Sequence, residues 1–129
     1  MMGGANRTGR GCALVLFACA LSACASMASD NPDAVEALML SATPLGSTVA
    51  DVERYCQRKK LSCKYDADRG FYHQEPNHVV GVSHMTATLD ERTVLYQGYP
   101  LARDTQGHWG FDSQGRLVGV WAWITLDGP

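Results

Sequence analysis

Trp109-Gly110-Phe111-Asp112-Ser113-Gln114-Gly115-Arg116-Leu117-Val118-Gly119-Val120-Trp121-Ala122-Trp123-Ile124-Thr125-Leu126 is the stretch that decides the fold. Trp109 and Phe111 alternate with small residues, the two-residue period of a strand. Asp112 to Gly115 supplies turn chemistry, with a short carboxylate to bond the backbone and a glycine free to take positive φ. Arg116 to Leu126 then returns as a second strand. Its even positions, Val118, Val120, Ala122, Ile124 and Leu126, are all apolar, and its odd positions are Leu117, Gly119, Trp121, Trp123 and Thr125. The even face is expected to lie on a core, which leaves Leu117, Trp121 and Trp123 on the opposite face.

Moving upstream, Val79 to Leu89 also alternates. Val79, Gly81, Ser83, Met85, Ala87 and Leu89 share one face, and His78, Val80, Val82, His84, Thr86 and Thr88 share the other. Asp90-Glu91 reads as a turn, Thr93 to Tyr99 as the next strand, and Gly98 to Thr105, with Pro100, as a connection. Asp66 to Asn77 is polar, holds Gly70 and Pro76, and reads as a loop after a short strand over Leu61–Tyr65.

Further upstream the period changes to that of helices. Asn31-Pro32 is an N-cap followed by proline at the first helical position, and Asp33 and Glu36 suit the positive end of the helix dipole. Val35, Leu38 and Met39 make one apolar stripe, so a helix is expected over about 32–41, ended by Pro44 and Gly46. Thr48 with Asp51 resembles a capping box for a second helix, on which Val49, Val52 and Cys56 share a face beside Tyr55. Arg58, Lys59 and Lys60 crowd its last turn, where cations suit the dipole, and read as a solvated helix end. Helices segregated from a run of antiparallel strands imply an α+β fold: two N-terminal helices packed on one face of a β-meander, a single domain over 32–129. Val52 and Cys56 are expected to meet the even face of the last strand.

The N-terminal residues carry a different signal. Arg7 and Arg10 precede an apolar run, Cys12 to Ala23, and no acid occurs before Asp30. The run is shorter than the roughly 20 apolar residues that a membrane-spanning helix needs. It closes on Leu21-Ser22-Ala23-Cys24, which resembles the lipobox of bacterial lipoproteins. That resemblance, confined to residues 1–24, implies that 1–23 are a signal peptide, that Cys24 becomes the lipidated (palmitate-bearing) N-terminus, and that residues 24–31 tether the domain to a membrane. Seven tether residues, Ala25 to Asn31, reach at most about 25 Å. In the lipoprotein family Asp after the cysteine favours the inner membrane, so Ala25 implies the periplasmic side of the outer membrane. The ordinary alternative is a cleaved signal peptide near Ala18-Cys19-Ala20 or Ala23-Cys24-Ala25 and a free protein. The order of elements over 32–126, with Leu45-Gly46-Ser47-Thr48 ahead of the capped helix, also resembles the small helix-helix-meander domains of outer-membrane assembly lipoproteins and of the β-lactamase inhibitor protein. No functional residue carries across from that likeness.

Removal of 1–23 takes Arg7 and Arg10 from the eleven basic residues and none of the thirteen acids, leaving a balance of about −4. A modestly acidic domain argues against nucleic acid, which demands a basic patch, and against a broad grip on anionic headgroups. Cys56 and Cys63 remain, and in an exported chain the simplest reading is a disulfide. A redox or metal pair and two unpaired thiols are the alternatives.

Chemical constellations are sparse. His73, His78, His84 and His108 form no metal motif, and His78 and His84, six residues apart on the expected strand, would stand about 20 Å from each other. Gly81-Val82-Ser83-His84-Met85 lacks the second glycine of a nucleophile elbow, and adjacent strand residues point to opposite faces. Asp66 with Asp68 and Asp90 with Glu91 sit in expected turns, where acids are solvated. Neither catalytic residues, nor a metal, nor a cofactor is expected. The aromatic face remains, with Leu117, Trp121 and Trp123 as candidate partner-binding residues and Arg116 and His108 at its rim. Two alternatives compete with it. The loop over 66–77, with Phe71 and Tyr72, folds over the tryptophans, or the alternation is inverted and they form the core. The expected function is a non-enzymatic, membrane-anchored protein that binds another protein in an envelope accessory role. The rivals are an immunity-type inhibitor of a toxin or enzyme, and a small cell-envelope enzyme.

Overall fold

Asn31 and Thr48 start the two helices, as their side chains allow. In the computed structural model, which describes residues 30–74 and 77–128, helix α1 spans Pro32–Ala42 and helix α2 spans Val49–Lys59. The Asn31 carboxamide accepts from the Asp33 N–H at 3.0 Å. Thr48 and Asp51 make a reciprocal capping box, Thr48 Oγ1 accepting from Asp51 N (3.1 Å) and Asp51 Oδ2 from Thr48 N (2.9 Å). The bond from the Thr48 N–H, with the Thr48 hydroxyl and the Arg54 guanidinium beside it, holds the Asp51 carboxyl below its ordinary value. Lys60 closes α2 in the left-handed conformation, and its N–H bonds back to the last turn.

The helices cover one face of a four-stranded antiparallel sheet in the order β1-β4-β5-β6, with β1 Lys64–Asp66, β4 Ser83–Tyr96, β5 Tyr99–Phe111 and β6 Leu117–Asp127. The chain is therefore α+β. β2 Phe71–His73 and β3 His78–Val80 pair with each other as a separate small hairpin. The core between helices and sheet holds Val35, Met39, Val52, Tyr55 and Cys56 from α1 and α2, and Met85, Ala87, Trp109, Phe111, Leu117 and Ala122 from the strands. Trp109 anchors it: Tyr55 meets its ring edge-on at 6.2 Å, and its indole N–H donates to the buried Thr43 hydroxyl at 3.2 Å. Cys56 and Cys63 lie at disulfide-bonding distance, Cα to Cα 6.2 Å, and tie α2 to the segment before β1.

α1 runs beside β6, while Val52 and Cys56 of α2 share the buried core with Ala122 of that strand's even face, as expected. Glu36 of α1 accepts the Ala122 N–H at 3.0 Å. The interhelix loop pairs with the start of β6, Gly46 N to Leu117 O at 2.9 Å and Leu117 N to Ser47 O at 2.7 Å. The β6 edge donors at Leu117 and Ala122, which would otherwise stand open, are thus occupied.

Three expectations are corrected. Val79–Leu89 is not one strand. Gly81, at φ +76°, turns the chain between β3 and β4, and a Cβ there would stand 2.5 Å from the Phe111 carbonyl oxygen. Asp90-Glu91 is not a turn but lies within β4, where Leu89 is an extra residue between the Thr88↔Gln106 and Asp90↔Thr105 pairs. The connection expected over 98–105 is strand: β4 and β5 turn at Gln97-Gly98, both at positive φ (50° and 83°), as a two-residue I′ turn requires. Pro100 is tolerated because β6 pairs only from Ala102 onward, so among the described residues that end of β5 has one neighbour.

Candidate functional site: an aromatic and imidazole face on the outer side of the sheet

The outer face is set by register. His108 of β5 lies opposite Trp121 of β6 and Thr86 of β4, and Gln106 lies opposite Trp123 and Thr88. The β2–β3 hairpin folds onto this face where the strands carry Gly110 and Gly119. A Cβ on Gly110 would stand 2.8 Å from the Val80 carbonyl oxygen and 3.0 Å from the Phe71 ring. The two glycines make the seat that lets the hairpin approach.

Phe71 is thereby buried, and a stack of rings forms around Trp121. His73 lies on one side of it at 4.5 Å between centroids, His108 at 5.3 Å and Trp123 at 5.3 Å, with interplanar angles of 27°, 27° and 24°. Phe71 adds a contact to His108 at 5.6 Å, and His73 stacks on its cross-strand partner His78 at 6.1 Å. Of the expected alternatives, cover by the loop applies to half of the site. Phe71 closes over His108 and Trp121, while Trp123 remains 40 % exposed and Tyr72 stays outside. Beside Trp123, Gln106 Nε2 donates to Thr88 Oγ1 at 2.9 Å.

Leu117 is not on this face. It is 2 % exposed and packs with Trp109 and Phe111, because Val118 is an extra residue between the Gly110↔Gly119 and Phe111↔Leu117 pairs. That bulge inverts the alternation, so Leu117 points into the core and Val118 points out. Arg116 is far along the strand from Trp123 and donates to the Gly46 carbonyl at 3.1 Å. His108 is a floor of the site rather than its rim. Burial, aided by His84 and His73, lowers its pKa from 6.5 to about 4, and its Nδ1 is buried with no hydrogen-bond partner among the described residues. The imidazole is thus neutral at pH 7 and behaves as one more flat ring in the stack.

Sequence reasoning raised Phe71 as a cover for the tryptophans only in an alternative reading, and it missed His73 and the paired glycines as parts of the site. The signal was present in Phe71-Tyr72-His73 and His78-Val79-Val80, two short β-prone runs flanking a turn-forming segment. Among the described residues no three His, Cys, Asp or Glu side chains gather as a metal site needs. No helix among them is long and apolar enough to cross a membrane. The leader, Cys24 and the tether before Asp30 lie outside the described residues. No protein-family model, no curated protein and no solved structure matches this chain.

Proposed function

We propose that this chain is a non-enzymatic, lipid-anchored protein of the bacterial envelope that binds a protein partner through the outer sheet face around Trp121 and Trp123. The observation that carries the binding half is the stacked pair itself. Trp123 offers an open indole, and Trp121, on which it stacks, is itself stacked on His73 and His108. A ring already fixed in place loses little conformational freedom when a partner covers it, which is how tryptophan comes to dominate binding energy at interfaces. Gln106 and Thr88 provide a polar margin. The anchoring half is supported by the basic residues, apolar run and Leu21-Ser22-Ala23-Cys24 in succession. Ala25 favours delivery to the outer membrane, on its periplasmic side.

The test uses the full chain in its host. Trp123→Ala, with folding checked by circular dichroism, should lower capture of an envelope partner in a crosslinking pull-down by about 30-fold or more, the loss of one interface hot spot. A folded Trp121→Ala/Trp123→Ala variant that keeps every crosslinked partner overturns the binding reading. Recovery of a toxic enzyme as the partner would assign the same face to an immunity role. For the anchor, Cys24→Ser should move the protein from the membrane to the soluble periplasmic fraction, and an unmodified Cys24 thiol in the mature protein overturns it.

A further inference from the structure

We infer that the β4–β5 arm, tipped by Leu95, Tyr96 and Tyr99, rests on the lipid surface at the end of the molecule where the chain departs toward Cys24. Beyond the Ala102↔Asp127 pair the sheet narrows to two strands, so among the described residues the arm is a ribbon with no third strand. Ten consecutive residues, Thr93 to Ala102, carry no charge. Leu95 is 77 % exposed, Tyr99 72 % and Tyr96 57 %. The I′ turn at Gln97-Gly98 holds the Tyr96↔Tyr99 pair at the extreme tip, with Leu95 opposite Pro100 one step back. Such a ribbon, apolar with phenol groups at its end, fits the water–lipid boundary, where tyrosine places its ring among the acyl chains and its hydroxyl among the headgroups. Water alone leaves those rings and the leucine exposed.

The chain outside the described residues selects lipid as the occupant. Asp30, just before the cap of α1, is held at the base of this arm by Arg92 (2.8 Å) and by Arg103. Asp30, the first described residue, therefore stands beside the Arg92↔Arg103 pair, on the helix side of the sheet. From there the arm rises four residues to Tyr96↔Tyr99, about 13 Å. Cys24 stands six residues before Asp30 and reaches up to about 20 Å. An acylated Cys24 and the arm tip can thus meet one plane. Asp30 also occupies the nearest two guanidinium groups, so contact rests on the apolar tip and not on attraction to anionic headgroups. This inference rests on the lipid anchor proposed above for what brings the arm near a bilayer.

The experiment places an environment-sensitive fluorophore on Leu95→Cys in the full chain, processed in its host and reconstituted in phosphatidylcholine vesicles. A second label on Gln114→Cys, at the opposite end of the sheet, is the reference. Mass spectrometry first establishes the state of Cys24. With Cys24 acylated, the Leu95 probe should shift to the blue and be quenched by nitroxide placed shallowly on the acyl chains, while the Gln114 probe stays aqueous. An aqueous Leu95 probe in acylated protein overturns the arm contact and leaves the anchor standing. With Cys24 unmodified the anchor falls, and the arm is read by flotation with the same vesicles. Binding that drops about ten-fold or more in Leu95→Ser/Tyr96→Ser/Tyr99→Ser supports it, since those side chains carry the apolar area that leaves water. Absence of wild-type binding overturns it. Shielding of the probe in lipid-free Cys24→Ser protein that sediments at twice the monomer mass would assign the arm to a second copy and overturn the lipid contact.

Discussion

His108 should make the fold acid-sensitive by an amount that follows from its surroundings. The imidazole lies under Phe71 and beside Trp121, its Nδ1 has no partner among the described residues, and its pKa is lowered to about 4 chiefly by burial, with smaller contributions from His84 and His73. In the unfolded chain the same group titrates near 6.5. Above that value both states are neutral and His108 contributes nothing to the pH dependence. Between about 6.5 and 4 the unfolded chain takes the proton and the fold does not, so stability falls as pH falls. Below about 4 both states are protonated and the loss stays constant. The full interval of about 2.5 pH units corresponds to roughly 3 kcal/mol, and because the ring still borders solvent the realised loss should be about 1–2 kcal/mol. For a domain of this size that lowers Tm by on the order of 5–10 °C. The assay compares wild type with His108→Phe in thermal melts at pH 7.5 and pH 4. Phenylalanine keeps a flat ring against Trp121 and cannot titrate, so the variant should lose less stability on acidification by that amount and match or exceed wild type at pH 7.5. A variant with the wild-type pH profile, or a His108 resonance titrating near 6.5 in nuclear magnetic resonance, would refute the assignment of a buried neutral ring.

The seat of the small hairpin is tested by Gly110→Ala, whose Cβ meets the Val80 carbonyl oxygen and the Phe71 ring. It should cost about 1–3 kcal/mol in urea unfolding and speed amide exchange at Phe71 to His73 selectively. Leu117→Ala should cost about 2–4 kcal/mol, whereas Val118→Ala, at the outward bulge, should stay within about 0.5 kcal/mol; equal losses would contradict the inverted alternation. Removing the Cys56–Cys63 link by Cys56→Ala/Cys63→Ala should lower stability by about 2–3 kcal/mol from loop closure, plus a packing loss at the buried Cys56, measured as a lower urea midpoint.

The helices were legible because their signals are local. Asn31-Pro32 and Thr48-Asp51 act within one turn, and the apolar spacing that follows places Val35, Met39, Val52 and Cys56 in the core. The final hairpin was legible for the same reason: its turn chemistry is contained in Asp112 to Gly115, where Asp112 Oδ1 accepts from the N–H groups of Gln114 and Arg116. What failed was parity over distance. One extra residue at Leu89 and another at Val118 each shift a strand's faces, and neither leaves a local mark, since leucine and valine are ordinary strand residues. The alternation of Trp121 and Trp123 against Val120 and Ala122 was read correctly because it lies wholly on one side of the second bulge. Leu117 lies on the other side and was misassigned. The cover on the outer face could be raised only as an alternative, for a different reason. It depends on Gly110 and Gly119 falling opposite each other and beneath Val80, a coincidence of three strands that no single segment encodes.

The two proposed contacts constrain each other through the sheet that joins them. Seven residues of β5 separate Tyr99 at the arm tip from Gln106, the neighbour of Trp123, about 23 Å along the strand. With the arm on lipid, the open indole therefore stands clear of the headgroups and faces sideways, parallel to the membrane. A partner must present its own surface at that height, which favours a membrane-bound protein over a small diffusing ligand. Arm and anchor together also fix the orientation of the sheet, and orientation sets the effective concentration of a membrane-bound partner. The serine-substituted arm should therefore weaken partner capture in vesicles while leaving affinity in detergent unchanged, and Trp123→Ala should weaken both. Equal losses in the two media from the arm variant would mean that the arm touches the partner directly, and the separation of roles between arm and sheet face would be wrong.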